Sequence, residues 1–121
     1  MRKRTDLINW AYEMRERYNA PVYLVGSALR KRDPRDIDIR IRMTNRDFGI
    51  RYGGLNWQIA AALWIVEGKT GHWGRTRWKW ARECGNATFD AWDRLQLNID
   101  FQVYPASYWR EYTGKPRYKL A

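Results

Sequence analysis

The sequence predicts a small α/β (α+β) fold: a small mixed β-sheet with helices mainly on one face. Three observations predict it. Residues 36–43 and 95–104 alternate apolar and polar side chains, the period-two pattern of a half-buried strand. Residues 5–19, 55–67 and 75–94 carry apolar side chains at helical spacing. At 121 residues, with 45% hydrophobic and 16% aromatic residues, the chain has apolar surface for one packed core. That length suits a single domain over residues 1–121.

Each element has its own signal. In residues 5–19, Leu7, Ile8, Ala11, Met14 and Tyr18 share a face, with Thr5 or Asp6 as N-cap and Asn19-Ala20-Pro21 as the stop. Residues 22–25 form the first strand, and residues 27–32 make a helical turn or two before Asp33-Pro34 ends it. Residues 36–43 are the second strand. Residues 44–54, rich in Arg and Gly, read as a loop, either a rim over a site or a plain connection. In residues 55–67, Leu55, Ile59, Ala62, Leu63 and Val66 mark a buried helix, stopped by Gly68.

Residues 75–94 read as helix in one or two pieces, broken near Gly85-Asn86. Trp73, Trp78, Trp80 and Trp92 lie in or beside this segment among Arg75, Arg77, Lys79, Arg82 and Arg94. Basic residues interleaved with aromatics can hold single-stranded nucleic acid, but Trp at helical spacing is more often core, and core is the preferred reading. Residues 95–104 form the third strand, with Leu97, Ile99, Phe101 and Val103 on one face and Asn98, Asp100, Gln102 and Tyr104 on the other. The tail, residues 105–121, covers a sheet edge or lines the site.

The chemistry gathers on the two alternating strands. Asp36 and Asp38 fall on one face of their strand, with Ile37, Ile39 and Ile41 on the other. Adjacent carboxylates repel unless a cation sits between them, and hard divalent cations prefer oxygen ligands. Gly26-Ser27 closes one strand and opens a helical turn, where free backbone N–H groups attract phosphate. Asp100 is a lone carboxylate in the middle of an apolar strand. If its strand pairs with that of Asp36 and Asp38, three carboxylates converge, as two-metal catalysis of an in-line displacement requires.

Gly26-Ser27, Asp36-Ile37-Asp38-Ile39 and Ile99-Asp100-Phe101 together resemble the signature of the DNA polymerase β-like nucleotidyltransferase superfamily. The resemblance covers about a quarter of the chain, and it extends to small nucleotidyltransferase-like proteins often carried by phages. It implies a minimal nucleotidyltransferase palm-like domain that moves a nucleoside monophosphate from an NTP to a hydroxyl, with Mg²⁺ or Mn²⁺ as cofactor. By that resemblance Asp36, Asp38 and Asp100 are the catalytic metal ligands, and Gly26 and Ser27 hold the nucleotide phosphates. Arg30 and Arg35, in the basic stretch between cradle and carboxylates, are candidate nucleotide contacts. Arg40 and Arg42 share a face with Asp36 and Asp38; they either pair with the carboxylates or contact an acceptor.

A formal net charge of +10 favours RNA, especially a tRNA-like 3′ end, as acceptor over a small molecule. A protein acceptor or partner and a homo-oligomer stay open. The competing class is a non-catalytic nucleotide- or nucleic-acid-binding module on a degenerate form of the same fold; a third reading makes the acids structural partners of Arg40 and Arg42. Other chemistries find little support. Gly68-Lys69-Thr70-Gly71 lacks the first glycine of a phosphate loop, since Leu63 stands there, and it follows a helix. His72 is the single His, with no metal-ligand spacing around it. Cys84 is the single Cys, which suits a reducing compartment. Without an apolar leader or a span of about 20 apolar residues, the expectation is a cytoplasmic protein with no membrane contact.

Overall fold

The structure, a computed structural model, describes residues 2–26, 37–53, 79–107 and 117–121. Among them are helices α1 (Arg2–Tyr18), α2 (Asn45–Tyr52) and α3 (Lys79–Leu95) and strands β1 (Val22–Val25), β2 (Ile37–Met43), β3 (Ile99–Pro105) and β4 (Arg117–Lys119). The sheet order is β3-β2-β1-β4. β1 runs antiparallel to both β2 and β4, whereas β2 and β3 are parallel, so the sheet is mixed. This is the small α/β fold that the alternation predicts.

Period-two alternation divides the sheet into two faces. Val22, Ile39, Ile41, Met43, Ile99, Phe101 and Val103 point into one hydrophobic cluster with Leu7, Trp10, Ala11, Met14 and Tyr18 of α1 and Trp80, Ala81, Cys84, Ala87 and Ala91 of α3. The Trp10 ring meets Phe101 edge-on, at 5.8 Å and 83°, and its Nε1–H donates to Asp90 Oδ2 at 3.0 Å. Trp80 donates from Nε1 to the Val103 carbonyl at 2.9 Å, so its one polar atom is satisfied inside the core. Trp92, by contrast, is exposed. No helix among the described residues is long and apolar enough to cross a membrane.

Several boundaries differ from the sequence expectation. α1 begins at Arg2, so Thr5 and Asp6 lie inside it, not at its cap. Trp10 is in its buried stripe, while Ile8 is only half-buried. The helix ends where Asn19 adopts a left-handed φ of 49° and the Ala20 N–H reaches back to the Arg15 carbonyl. Residues 45–52 are helix α2, not loop. Thr44 Oγ1 accepts from the Asp47 N–H at 3.1 Å, and Gly53, at φ 64°, turns its own N–H to the Gly49 carbonyl.

α3 runs unbroken through Gly85-Asn86, because Gly85 is buried in its packing face. It also takes in Leu95, which the alternating pattern assigns to the strand. Gln96, at φ 56°, supplies the left-handed stop, and β3 starts only at Ile99. Leu97 still packs against the core, which is why the alternation begins ahead of the strand. The expected turn at residues 27–32 and helix at 55–67, the Gly68-Lys69-Thr70-Gly71 segment and His72 lie outside the described residues, as do Trp73 and Trp78.

A polar cluster joins the three helices beside the core. Arg51 of α2 forks onto Glu83 of α3, Nη2 to Oε2 at 2.6 Å and Nε to Oε2 at 3.0 Å. Its guanidinium also lies 4.5 Å from the centre of the Tyr18 ring. Burial pushes the Tyr18 and Tyr52 phenols and the Cys84 thiol well above their ordinary ranges, so all three stay protonated.

Candidate active site

The second face of the sheet carries the described members of the site that the sequence predicts. β2 and β3 pair in the register Asp38↔Asp100, Arg40↔Gln102 and Arg42↔Tyr104. β1 adds Val25 opposite Asp38 and Tyr23 opposite Arg40, and β4 adds Arg117 beside Val25 and Lys119 beside Tyr23. Two rows therefore cross the sheet on one side. The first reads Arg117, Val25, Asp38, Asp100; the second reads Lys119, Tyr23, Arg40, Gln102. Neighbouring strands lie about 4.8 Å apart, so Asp38 and Asp100 stand side by side with their side chains on the same face.

Gly26 completes the carboxylate end. Its φ of 76° is a conformation that favours glycine, and a Cβ added there would run into Asp38 Oδ2. The backbone at the end of β1 thus closes directly on the Asp38 carboxylate, where the sequence predicts a phosphate cradle.

Asp100 is held from two sides. Arg40 Nη2 lies 3.4 Å from Asp100 Oδ2, and Arg40 Nη1 donates to the Asp100 carbonyl at 2.6 Å and to the Ile39 carbonyl at 3.0 Å. Gln102 Nε2 lies 3.4 Å from Asp100 Oδ1. The Arg40 guanidinium also sits 5.6 Å from the centre of the Tyr104 ring, a cation–π arrangement. Of the two roles the sequence offers Arg40, carboxylate pairing is the one its geometry fits.

This face is not uniformly open. Val25, Arg40, Gln102 and Tyr104 are buried, Asp38 and Asp100 are half-buried, and Arg42 is exposed. Among the described residues, Gln102 Oε1 is a buried acceptor without a hydrogen-bond partner. Toward the β4 edge, Arg117 lies over the Tyr23 ring at 5.9 Å.

Of the residues singled out by sequence, Gly26, Asp38, Asp100, Arg40 and Arg42 come together here. Asp36, Ser27, Arg30 and Arg35 lie outside the described residues. Among the described residues, no three His, Cys, Asp or Glu side chains gather as a metal-ligand group; the oxygen pair of Asp38 and Asp100 is what the described part contributes. Sequence reasoning placed Gln102 on the Asp100 face but gave it no role, and it missed Tyr23 as a member of this face. The signal for Gln102 was present, a polar side chain two residues from Asp100 on an otherwise apolar strand. Tyr23 gave none, since a tyrosine in a four-residue strand reads equally well as core.

No protein-family model matches the chain, and no curated protein or solved structure matches it.

Proposed function

We propose that the protein is a Mg²⁺-dependent nucleotidyltransferase that moves a nucleoside monophosphate from an NTP to a hydroxyl on RNA. The observation that carries this reading is the register Asp38↔Asp100 on adjacent parallel strands. It sets two carboxylates next to each other on the face away from the core, with Gly26 closing on one of them. Two hard oxygen donors on neighbouring strands fit Mg²⁺ or Mn²⁺, with Asp36 as the third ligand that the resemblance assigns. Bound there, the ion would offset triphosphate charge as it shifts toward the leaving pyrophosphate.

The chain's own residues would supply position and electrostatics. By resemblance, Gly26 and Ser27 would offer backbone N–H groups to phosphate oxygens, while Arg30 and Arg35 would add charge-assisted contacts. The acceptor oxygen forms its new bond to the α-phosphorus, and the bond from that phosphorus to the bridging oxygen breaks to release pyrophosphate. The hydroxyl proton passes to a carboxylate, for which Asp100 is the candidate, and then to solvent. Arg42, exposed on the same face, is the acceptor contact; Arg40 is already engaged by Asp100.

The formal net charge of +10 supports a polyanionic acceptor, though a protein or small molecule would use the same chemistry. One observation favours a second reading. Arg40 already pairs with Asp100, as it would in a non-catalytic module that binds nucleotide or nucleic acid on the basic surface.

The deciding experiment incubates the purified protein with each α-labelled NTP, Mg²⁺ or Mn²⁺ and total RNA, beside Asp38→Asn. Label on RNA with the wild type alone supports transfer. Wild-type turnover by Asp38→Asn refutes the mechanism. Salt-sensitive RNA binding that survives the substitution, with no transfer by either protein, moves the conclusion to the binding module.

A further inference from the structure

Arg40 places a full positive charge where such a charge is costly. It lies mid-strand in β2, between β1 and β3, and its side chain is only 8% exposed. A guanidinium does not shed its proton in a protein, so its burial must be answered by partners. Asp100 answers it twice, and the two contacts are unequal. The 2.6 Å bond to the Asp100 carbonyl fixes the arginine on the strand. The 3.4 Å contact to Asp100 Oδ2 is long for a charge-assisted hydrogen bond, which ordinarily closes to about 2.7–2.9 Å.

The other carboxylate oxygen has a similar tether. Gln102 Nε2 reaches Oδ1 at 3.4 Å, again long. The Asp100 side chain is meanwhile 37% exposed and stands beside Asp38. It is therefore steered by two same-face neighbours, each at a long 3.4 Å.

We propose that Arg40 is a positioning residue that provides the counter-charge of the Asp38–Asp100 pair in the metal-free protein and yields Asp100 Oδ2 to a divalent cation. This inference rests on the nucleotidyltransferase reading and deepens it. Anchored by its bonds to the Ile39 and Asp100 carbonyls, the guanidinium need not leave the strand; only its Nη2 contact is exchanged. The retained positive charge then opposes the cation, so the pair binds metal more weakly than two unopposed carboxylates would.

The test is Mn²⁺ titration of the full-length wild type, Arg40→Gln and Arg40→Lys by calorimetry, with melting temperatures of the metal-free proteins. Arg40→Gln keeps a donor for the carbonyls but removes the charge. It should bind Mn²⁺ about tenfold more tightly and melt at a lower temperature without metal. Arg40→Lys, with the charge retained, should stay within about threefold of wild type. An Arg40→Gln affinity equal to or weaker than wild type overturns the inference, since a merely structural residue gives no tightening.

Should Arg40→Gln fail to fold, the wild type itself decides. With ¹⁵N-labelled arginine, the Arg40 side-chain resonance must move in step with Mg²⁺ saturation, and a static resonance overturns the exchange. A wild type that binds no divalent ion brings down the nucleotidyltransferase reading together with this one. Metal binding with an unmoved Arg40 brings down this one alone.

Discussion

Gly26 and Asp38 face each other at the end of β1 with no room for a side chain between them: the Gly26 φ is 76°, and a Cβ there would meet Asp38 Oδ2. Any other residue type would suffer both backbone strain and a displaced carboxylate. Gly26→Ala should lower stability by about 1–2 kcal/mol from the left-handed conformation alone. The carboxylate adds a separable part. In a double-mutant cycle, Gly26→Ala should cost less when Asp38 is Ser, with a coupling of at least about 0.5 kcal/mol by urea denaturation. Strict additivity would mean that the contact carries no energy.

The fork between Arg51 and Glu83 ties α2 to α3 and presses a planar cation on Tyr18. Glu83→Gln should cost about 1–2 kcal/mol, because the remaining guanidinium is left in a partly desolvated place. Arg51→Lys should also destabilise, since an ammonium cannot form the fork. Thermal melts of both variants at low and high salt measure this, and unchanged melting temperatures would make the fork energetically idle.

Alkaline pH should unfold the protein through its buried acids. Burial raises Cys84 from an ordinary 9.0, and Tyr18 and Tyr52 from an ordinary 10.0. Above those ordinary values the unfolded chain releases protons that the folded chain keeps. The contribution of these groups is thus complete below about pH 9 and is lost progressively as pH climbs toward the folded values. The urea midpoint should be level from pH 7 to 9 and fall beyond it. Cys84→Ala should delay the onset toward pH 10, where the phenols take over. A midpoint that stays level to pH 11 would contradict the burial of all three.

The same protonated state makes Cys84 a poor nucleophile. Ellman's reagent should react with it in the native protein no faster than the protein opens, and at once in denaturant. Immediate native reaction would place the thiol at the surface.

Much of this architecture is written locally in the chain. Ile37-Asp38-Ile39-Arg40-Ile41 and Ile99-Asp100-Phe101 each assign their faces by alternation alone, whereas the juxtaposition of Asp38 and Asp100 also needs the strands to pair in this one register. Helix α2 escaped notice because its apolar content is small, with Phe48 its one buried residue. Its punctuation was nonetheless legible, with Thr44 three residues before Asp47 and Gly53 at the end. The continuity of α3 was not legible: Gly-Asn is an ordinary helix breaker, and only the packing of Gly85 into the core overrides it. Nor does sequence reveal the burial of Arg40. An arginine alternating with isoleucines reads as a solvated face, and its burial between β1 and β3 emerges only when the sheet is assembled.

The pairing of β4 with β1 also has a consequence for how the chain is made. β1 can join β2 once residue 43 has left the ribosome, but its other edge waits for residues 117–119. At ~5–20 residues per second, the backbone of Tyr23 and Leu24 stays bare on the nascent chain for roughly 4–15 s. For that interval the ribosome-bound protein presents an open strand that a neighbouring polypeptide could zip onto. The finished edge, Arg117 and Lys119 flanking Tyr118, ends that hazard with two positive charges.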